Sequence, residues 1–83
     1  MKNVKFEKLK ETVKGEKYYL LFKMSSENKL AYCIAIEDEG LSVQGLGNDF
    51  NKAMEMYEII SCGEVSEEHL NDAVRDMQIE IFA

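Results

Sequence analysis

The stretch from Lys17 to Ile36, KYYLLFKMSSENKLAYCIAI, constrains the fold more than any other part of the chain. Its two halves are rich in Tyr, Phe, Leu and Ile, which suit a pleated, half-buried surface. Ser25-Ser26-Glu27-Asn28 between them supplies side chains that bond their own backbone in turns. This predicts a β-hairpin with strands over about 17–25 and 29–37. Successive strand side chains point to opposite faces. We assign Tyr18, Leu20, Phe22 and Met24 to one face, together with Leu30, Tyr32, Ile34 and Ile36 across the turn. The other face then carries Tyr19, Leu21 and Lys23 with Ala31, Cys33, Ala35 and Glu37, and is only partly polar.

The segments around the hairpin complete an α+β chain. Over about 3–13 the sequence alternates loosely, with Val4 and Phe6 on one face and Leu9 and Val13 on the other, so a bulge is expected near Leu9. The lysines of this segment suit an edge strand, where charge discourages further strand pairing. Lys14-Gly15 marks the first turn, and Glu37-Asp38-Glu39-Gly40 the third, with Gly40 free to take a positive φ. A short strand over about 41–46 ends at Gly45-Leu46-Gly47. Short links favour antiparallel neighbours, hence a four-stranded antiparallel meander.

The hydrophobic period then lengthens. A helix over about 49–62, capped by Asn48 or Asp49 and left at Gly63, presents Phe50, Ala53, Met54, Tyr57 and Ile60. A second, over about 66–79, starts at Ser66 with Glu67 and Glu68 in its first turn and presents Leu70, Ala73, Val74 and Met77. Both helices are expected to pack on one face of the sheet, the one assigned Leu20, Phe22, Tyr32 and Ile34, within a single domain spanning 1–83. On that assignment Phe22→Ala would cost about 3–5 kcal/mol, most of a small domain's margin.

Composition narrows the functional classes. No apolar run approaches the roughly 20 residues needed to cross a bilayer, and the N-terminal MKNVK leads into no signal-peptide core, so a cytoplasmic protein is expected. A net charge of −6 repels phosphate backbones, and Lys2, Lys5, Lys8, Lys10, Lys14 and Lys17 are interleaved with Glu7, Glu11 and Glu16. Neither nucleic acid nor a membrane is an expected partner. Cys33 and Cys62 lack CxxC spacing, which argues for two small buried apolar side chains without a disulfide rather than a metal or redox site.

The remaining chemical candidates read as structural. His69 stands alone without a second ligand at metal spacing, and Glu37-Asp38-Glu39 does not match a twelve-residue calcium loop. Gly45-Leu46-Gly47-Asn48 lacks the third glycine of a dinucleotide fingerprint, and Asp49 would oppose an anion at the helix start. Met54 and Met77 fall on core stripes, leaving Met56 to look outward with Glu55 and Glu58. With no nucleophile or metalloprotease motif either, no enzymatic activity, cofactor or metal is expected.

Tyr18-Tyr19-Leu20-Leu21, the run Tyr32-Cys33-Ile34-Ala35-Ile36-Glu37 and the stretch from Gly63 to Val74, GEVSEEHLNDAV, resemble a family of small uncharacterised proteins from spore-forming Firmicutes. The resemblance covers about two-thirds of the chain and departs from the family at Cys33-Ile34, where a glycine is usual, and in the first strand's length. It implies a bacterial cytoplasmic origin and no particular activity. Val65, Ser66, His69 and Leu70 match its most recognisable stretch, and a hydrophobic staple, an N-cap and a packing residue account for them.

One excess remains. If both helices cover one sheet face, Tyr19, Leu21, Ala31 and Cys33, with Leu9 beside them, form an exposed apolar patch. The expected function is therefore a non-catalytic protein-interaction or homodimerisation module, binding itself or another protein. The alternative is a small-ligand or anion-binding regulator using a cleft between the sheet edge and a helix N-terminus. An acidic nucleic-acid mimic fits less well, because the carboxylates are scattered.

Overall fold

The computed structural model describes residues 4–82. Four strands, β1 (Lys5–Lys14), β2 (Lys17–Ser26), β3 (Lys29–Glu37) and β4 (Leu41–Gly47), precede two helices, α1 (Phe50–Cys62) and α2 (Leu70–Phe82). The strands pair in sequence order as one antiparallel meander, and both helices contact the sheet. The fold is therefore α+β, with the helices on one face. Asn3, where the first strand is expected to begin, lies outside the described residues. Among the described residues no helix is long and apolar enough to cross a membrane.

The register of the central hairpin differs from the sequence assignment. Glu27 and Asn28 form a two-residue connection, with Ser26 opposite Lys29. An even-numbered connection pairs even positions of one strand with odd positions of the next, and cross-strand partners share a face. Tyr19 thus lies opposite Ile36, Leu21 opposite Ile34 and Lys23 opposite Tyr32. Tyr19, Leu21, Ile34 and Ile36 are fully buried beneath the helices, with Tyr32 nearly so. Tyr32, Ile34 and Ile36 are core residues as expected, but Leu20 and Phe22 are not their companions. Those two project from the opposite face, beside Ala35 and Cys33.

Two irregularities adjust the outer strands. The pairing of β1 with β2 shifts between Lys8 and Lys10, the bulge expected near Leu9, and Leu9 packs against the core. The shift places Val13, opposite Tyr18, on the same side as Phe6, opposite Met24. In β4, Tyr32 faces Gly47 and Cys33 faces Gly45, leaving Leu46 free to turn into the core, where it is buried. Positive φ falls at Gly15 (64°) and Gly47 (87°), and Gly40 does not use the freedom its turn offers. The reason for the Gly47 value is local: the chain leaves the sheet there and turns towards α1.

Helix boundaries follow their caps. The Asp49 carboxylate accepts from the Lys52 backbone N–H at 3.1 Å, fixing the start of α1. Its buried residues are Ala53, Met56, Tyr57, Ile60 and Ser61, so Met56, expected to look outward, is a core residue. A helix that meets both a sheet and a second helix buries a wider arc than a simple stripe. Met54 is half-buried against the core, and Phe50, though exposed, meets the Tyr32 ring edge-on at 5.7 Å. At the C-terminus Glu64 N–H donates to the Ser61 carbonyl and Val65 N–H to the Ile60 carbonyl. These bonds close a Schellman-type end with Glu64, not Gly63, in the left-handed position (φ 52°).

The second helix begins later than its acidic start suggested. Ser66 makes no side-chain cap bond, and Glu67–His69 form a 3-10 turn before α2. Leu70, Val74 and Met77 are buried and Ala73 packs beside them, as the stripe predicted. The helix runs to Phe82, beyond the expected end near Ile79.

Two tyrosines fasten these layers. Tyr57 of α1 donates its hydroxyl to the Tyr19 carbonyl at 2.8 Å; because a carbonyl only accepts, the Thr12 hydroxyl at 2.7 Å donates to the Tyr57 oxygen. The Tyr19 hydroxyl in turn donates to the Val65 carbonyl at 2.8 Å, tying β2 to the link between the helices. Burial raises the Tyr19 phenol above its ordinary value, with the charges of Glu64 and Asp38 adding to the rise. Burial also raises Tyr57, against the Thr12 hydrogen bond and the Lys10 charge, which lower it. Lys10 pairs with Glu58 at the surface and lies 5.7 Å from the centre of the Tyr57 ring.

Two expectations follow from this layering. At protein concentrations low enough to remove any association, Leu21→Ala costs about 2–5 kcal/mol and Phe22→Ala markedly less, as measured by denaturant unfolding. Equal losses would contradict the register. Folded-state phenol values raised above the unfolded value of about 10 leave stability intact below that pH. It falls as pH climbs through 10 towards the folded values. Unfolding curves across that window should decline more steeply for the unaltered chain than for Tyr57→Phe.

Candidate functional site

The helices cover one side of the sheet and leave the other open. On the open side the register sets side chains in rows across the strands. Val13, Tyr18, Glu37 and Leu41 form one row; Glu11, Leu20, Ala35 and Val43 the next; then Lys8, Phe22, Cys33 and Gly45; then Phe6, Met24 and Ala31. The face is apolar through its centre. Phe6, Leu41 and Val43 are 65%, 64% and 56% exposed, far from the few per cent of a core residue.

The relief of this face comes from residue size. Along β2 the large side chains Tyr18, Leu20, Phe22 and Met24 form a ridge, while beside it β3 presents Ala31, Cys33 and Ala35. Leu41 and Val43 of β4 rise again on the far side. Between the two ridges runs an open groove of about 330 Å³ with Cys33 and Ala35 on its floor. Those two small residues are themselves almost inaccessible, sunk between larger neighbours. Burial pushes the Cys33 thiol above its usual range, whereas Cys62, expected to be buried as well, is exposed in the last turn of α1.

Charge is sparse here and balanced. Lys8 and Glu11 lie on β1 and pair with each other at 3.2 Å, both half-exposed. Lys29 and Glu37 stand at opposite ends of β3 on the same side. Two lysines against two glutamates leave the strand positions of this face with no net formal charge, although the whole chain carries −6.

The expected interaction surface is therefore split between the two sides. Ala31 and Cys33 lie on the open face. Tyr19 and Leu21 do not: both are 0% exposed, covered by the chain's own helices, and Leu9 also packs on the core side. The cause is the two-residue connection at Glu27-Asn28, which gives Ala31 and Cys33 the partners Met24 and Phe22 in place of the assumed ones. The residues missed are thus Leu20, Phe22 and Met24 of the hairpin, with Phe6, Leu41 and Val43 from the edge strands. The even length of the turn was the signal that would have found them.

The other candidates are placed as follows. His69 ends the 3-10 turn, exposed, its backbone N–H bonded to the Ser66 carbonyl at 3.1 Å. Glu37, Asp38 and Glu39 are exposed at the β3–β4 turn. Among the described residues no three His, Cys, Asp or Glu side chains group so as to hold a metal ion. The N-terminus of α1 already receives the Asp49 carboxylate. No family model, curated protein or solved structure matches the chain.

Thiol labelling checks this placement. A maleimide should modify Cys62 at the rate of a surface thiol and Cys33 much more slowly, because burial both shields it and disfavours its thiolate. Equal rates in the folded chain would contradict the sunken position of β3.

Proposed function

We propose that this chain is a non-catalytic association module whose working surface is the open sheet face, and that its occupant is a second copy of the chain. One observation carries the reading: an apolar face four strands wide, uncovered by its own helices, with no net charge of its own. A monomer rarely leaves so continuous an apolar surface in water. A basic or nucleic-acid partner would call for charge on the face, whereas an apolar, neutral surface matches another like itself.

Area supports the same occupant. Four strands at about 4.8 Å spacing and about seven residues at about 3.3 Å each give a projected face of roughly 450 Å². Two such faces, with their side-chain relief, remove about 1,000 Å² or more from water, the lower bound for a specific interface. The acidic excess then lies on the outside of the pair, where it opposes growth beyond two copies.

Sedimentation or light scattering across a dilution series measures this directly. The unaltered chain should approach twice the 9.5 kDa monomer mass at high concentration. Val43→Glu, on the open face, should hold it at the monomer mass; Leu30→Glu, at an exposed apolar position on the opposite face, should not. A chain that stays monomeric throughout, or responds equally to both substitutions, would end the proposal.

A further inference from the structure

The geometry points to one seating of the two copies: the β2 ridge of each lies in the β3 trough of the other, about a twofold axis that runs along the strands between β2 and β3. This rests on the association proposed above and adds its arrangement. The order of sizes in each row sets this seating. Phe22 is followed across the sheet by Cys33, Leu20 by Ala35 and Met24 by Ala31. Rotating a second copy about an axis between these two columns, parallel to them, places β2 over β3 and keeps every row at its own level. Phe22 then faces Cys33 of the second copy, Leu20 faces Ala35, and Met24 faces Ala31. Large meets small in three successive layers, on both sides of the axis, which is how facing positions fill space without voids.

The same operation deals with the polar residues. Tyr18 comes level with Glu37 of the second copy, so a phenol hydroxyl meets a carboxylate acceptor at the end of the interface. The operation lays β1 over β4 of the second copy, so Lys8 comes level with Gly45 and Glu11 with Val43; both strands are sheet edges, which keeps this ion pair at the border of the interface within reach of water. Sheets packed face to face keep their strands within about 30° of each other, which this axis permits. The competing twofold, perpendicular to the strands, sets β2 over β2 and β3 over β3. Large residues of one β2 would then meet large residues of the other, while the small residues of the two β3 strands faced each other across a void.

The two seatings respond oppositely to filling the trough. In the seating inferred here Cys33→Phe sets a ring against Phe22 of the second copy and weakens dimerisation by about tenfold or more, the scale of overpacking. The double variant Phe22→Cys with Cys33→Phe exchanges ridge and trough and restores it. Because Phe22 and Cys33 are also partners within one sheet, the exchange keeps the local pair intact. Leu20→Ala with Ala35→Leu gives a second, independent exchange should the first fail to fold by circular dichroism. Weakening by the single trough-filling variant and recovery in the exchange, read from dimer dissociation constants, supports the seating. A dimer that tolerates or gains from Cys33→Phe, or that neither exchange restores, overturns the seating and leaves the association standing. An unaltered chain that never dimerises overturns both.

Discussion

Ser26 lies opposite Lys29 across two turn residues, and that pairing decides which side of the sheet each residue of the central hairpin serves. Side chains alternate with a period of two, so a change of one residue in the length of that turn would exchange the whole set. With the observed turn, Tyr19 and Leu21 join Ile34 and Ile36 under the helices, and Leu46 reaches them only because β4 carries an extra residue at that point. The buried layer is thus assembled from alternating positions of the two central strands, plus one bulged residue. Everything on the open side follows as its complement.

That complement is unusual because the hairpin has apolar side chains at both parities. The two helices bury one set through Ala53, Met56, Tyr57, Ile60, Leu70, Val74 and Met77. They have no second apolar layer to offer the set that contains Leu20, Phe22 and Met24. The open side is nevertheless not a uniform sheet of large residues. Ala31, Cys33 and Ala35 lower its middle, so its shape carries information as well as hydrophobicity.

Polar bonding within the core serves position more than strength. A neutral hydrogen bond contributes about 1 kcal/mol net, less than the burial of a single large side chain. The Tyr57 hydroxyl, held between Thr12 and the Tyr19 carbonyl, nonetheless fixes where α1 sits over β1 and β2. The Tyr19 hydroxyl on the Val65 carbonyl fixes where the chain turns from α1 towards α2. Neither bond is visible in hydrophobic periodicity, since both tyrosines would count as apolar positions there.

By itself the sequence determined the elements. Alternation, turn residues and helix caps gave four strands in a meander, the bulge at Leu9, a first-helix cap at Asn48 or Asp49 and the stripe through Leu70, Val74 and Met77. All of these depend on residues close together along the chain. The assignment of faces depended on tertiary structure. Both hairpin faces are apolar, so composition could not choose between them, and the choice rested on turn length and on where the helices docked. The same holds for Met56, buried only because α1 meets a sheet and a helix at once, and for Glu64, which takes the left-handed place next to an available glycine. Local chemistry proposes an element's conformation; which side of it is hidden is settled by the neighbours it finds.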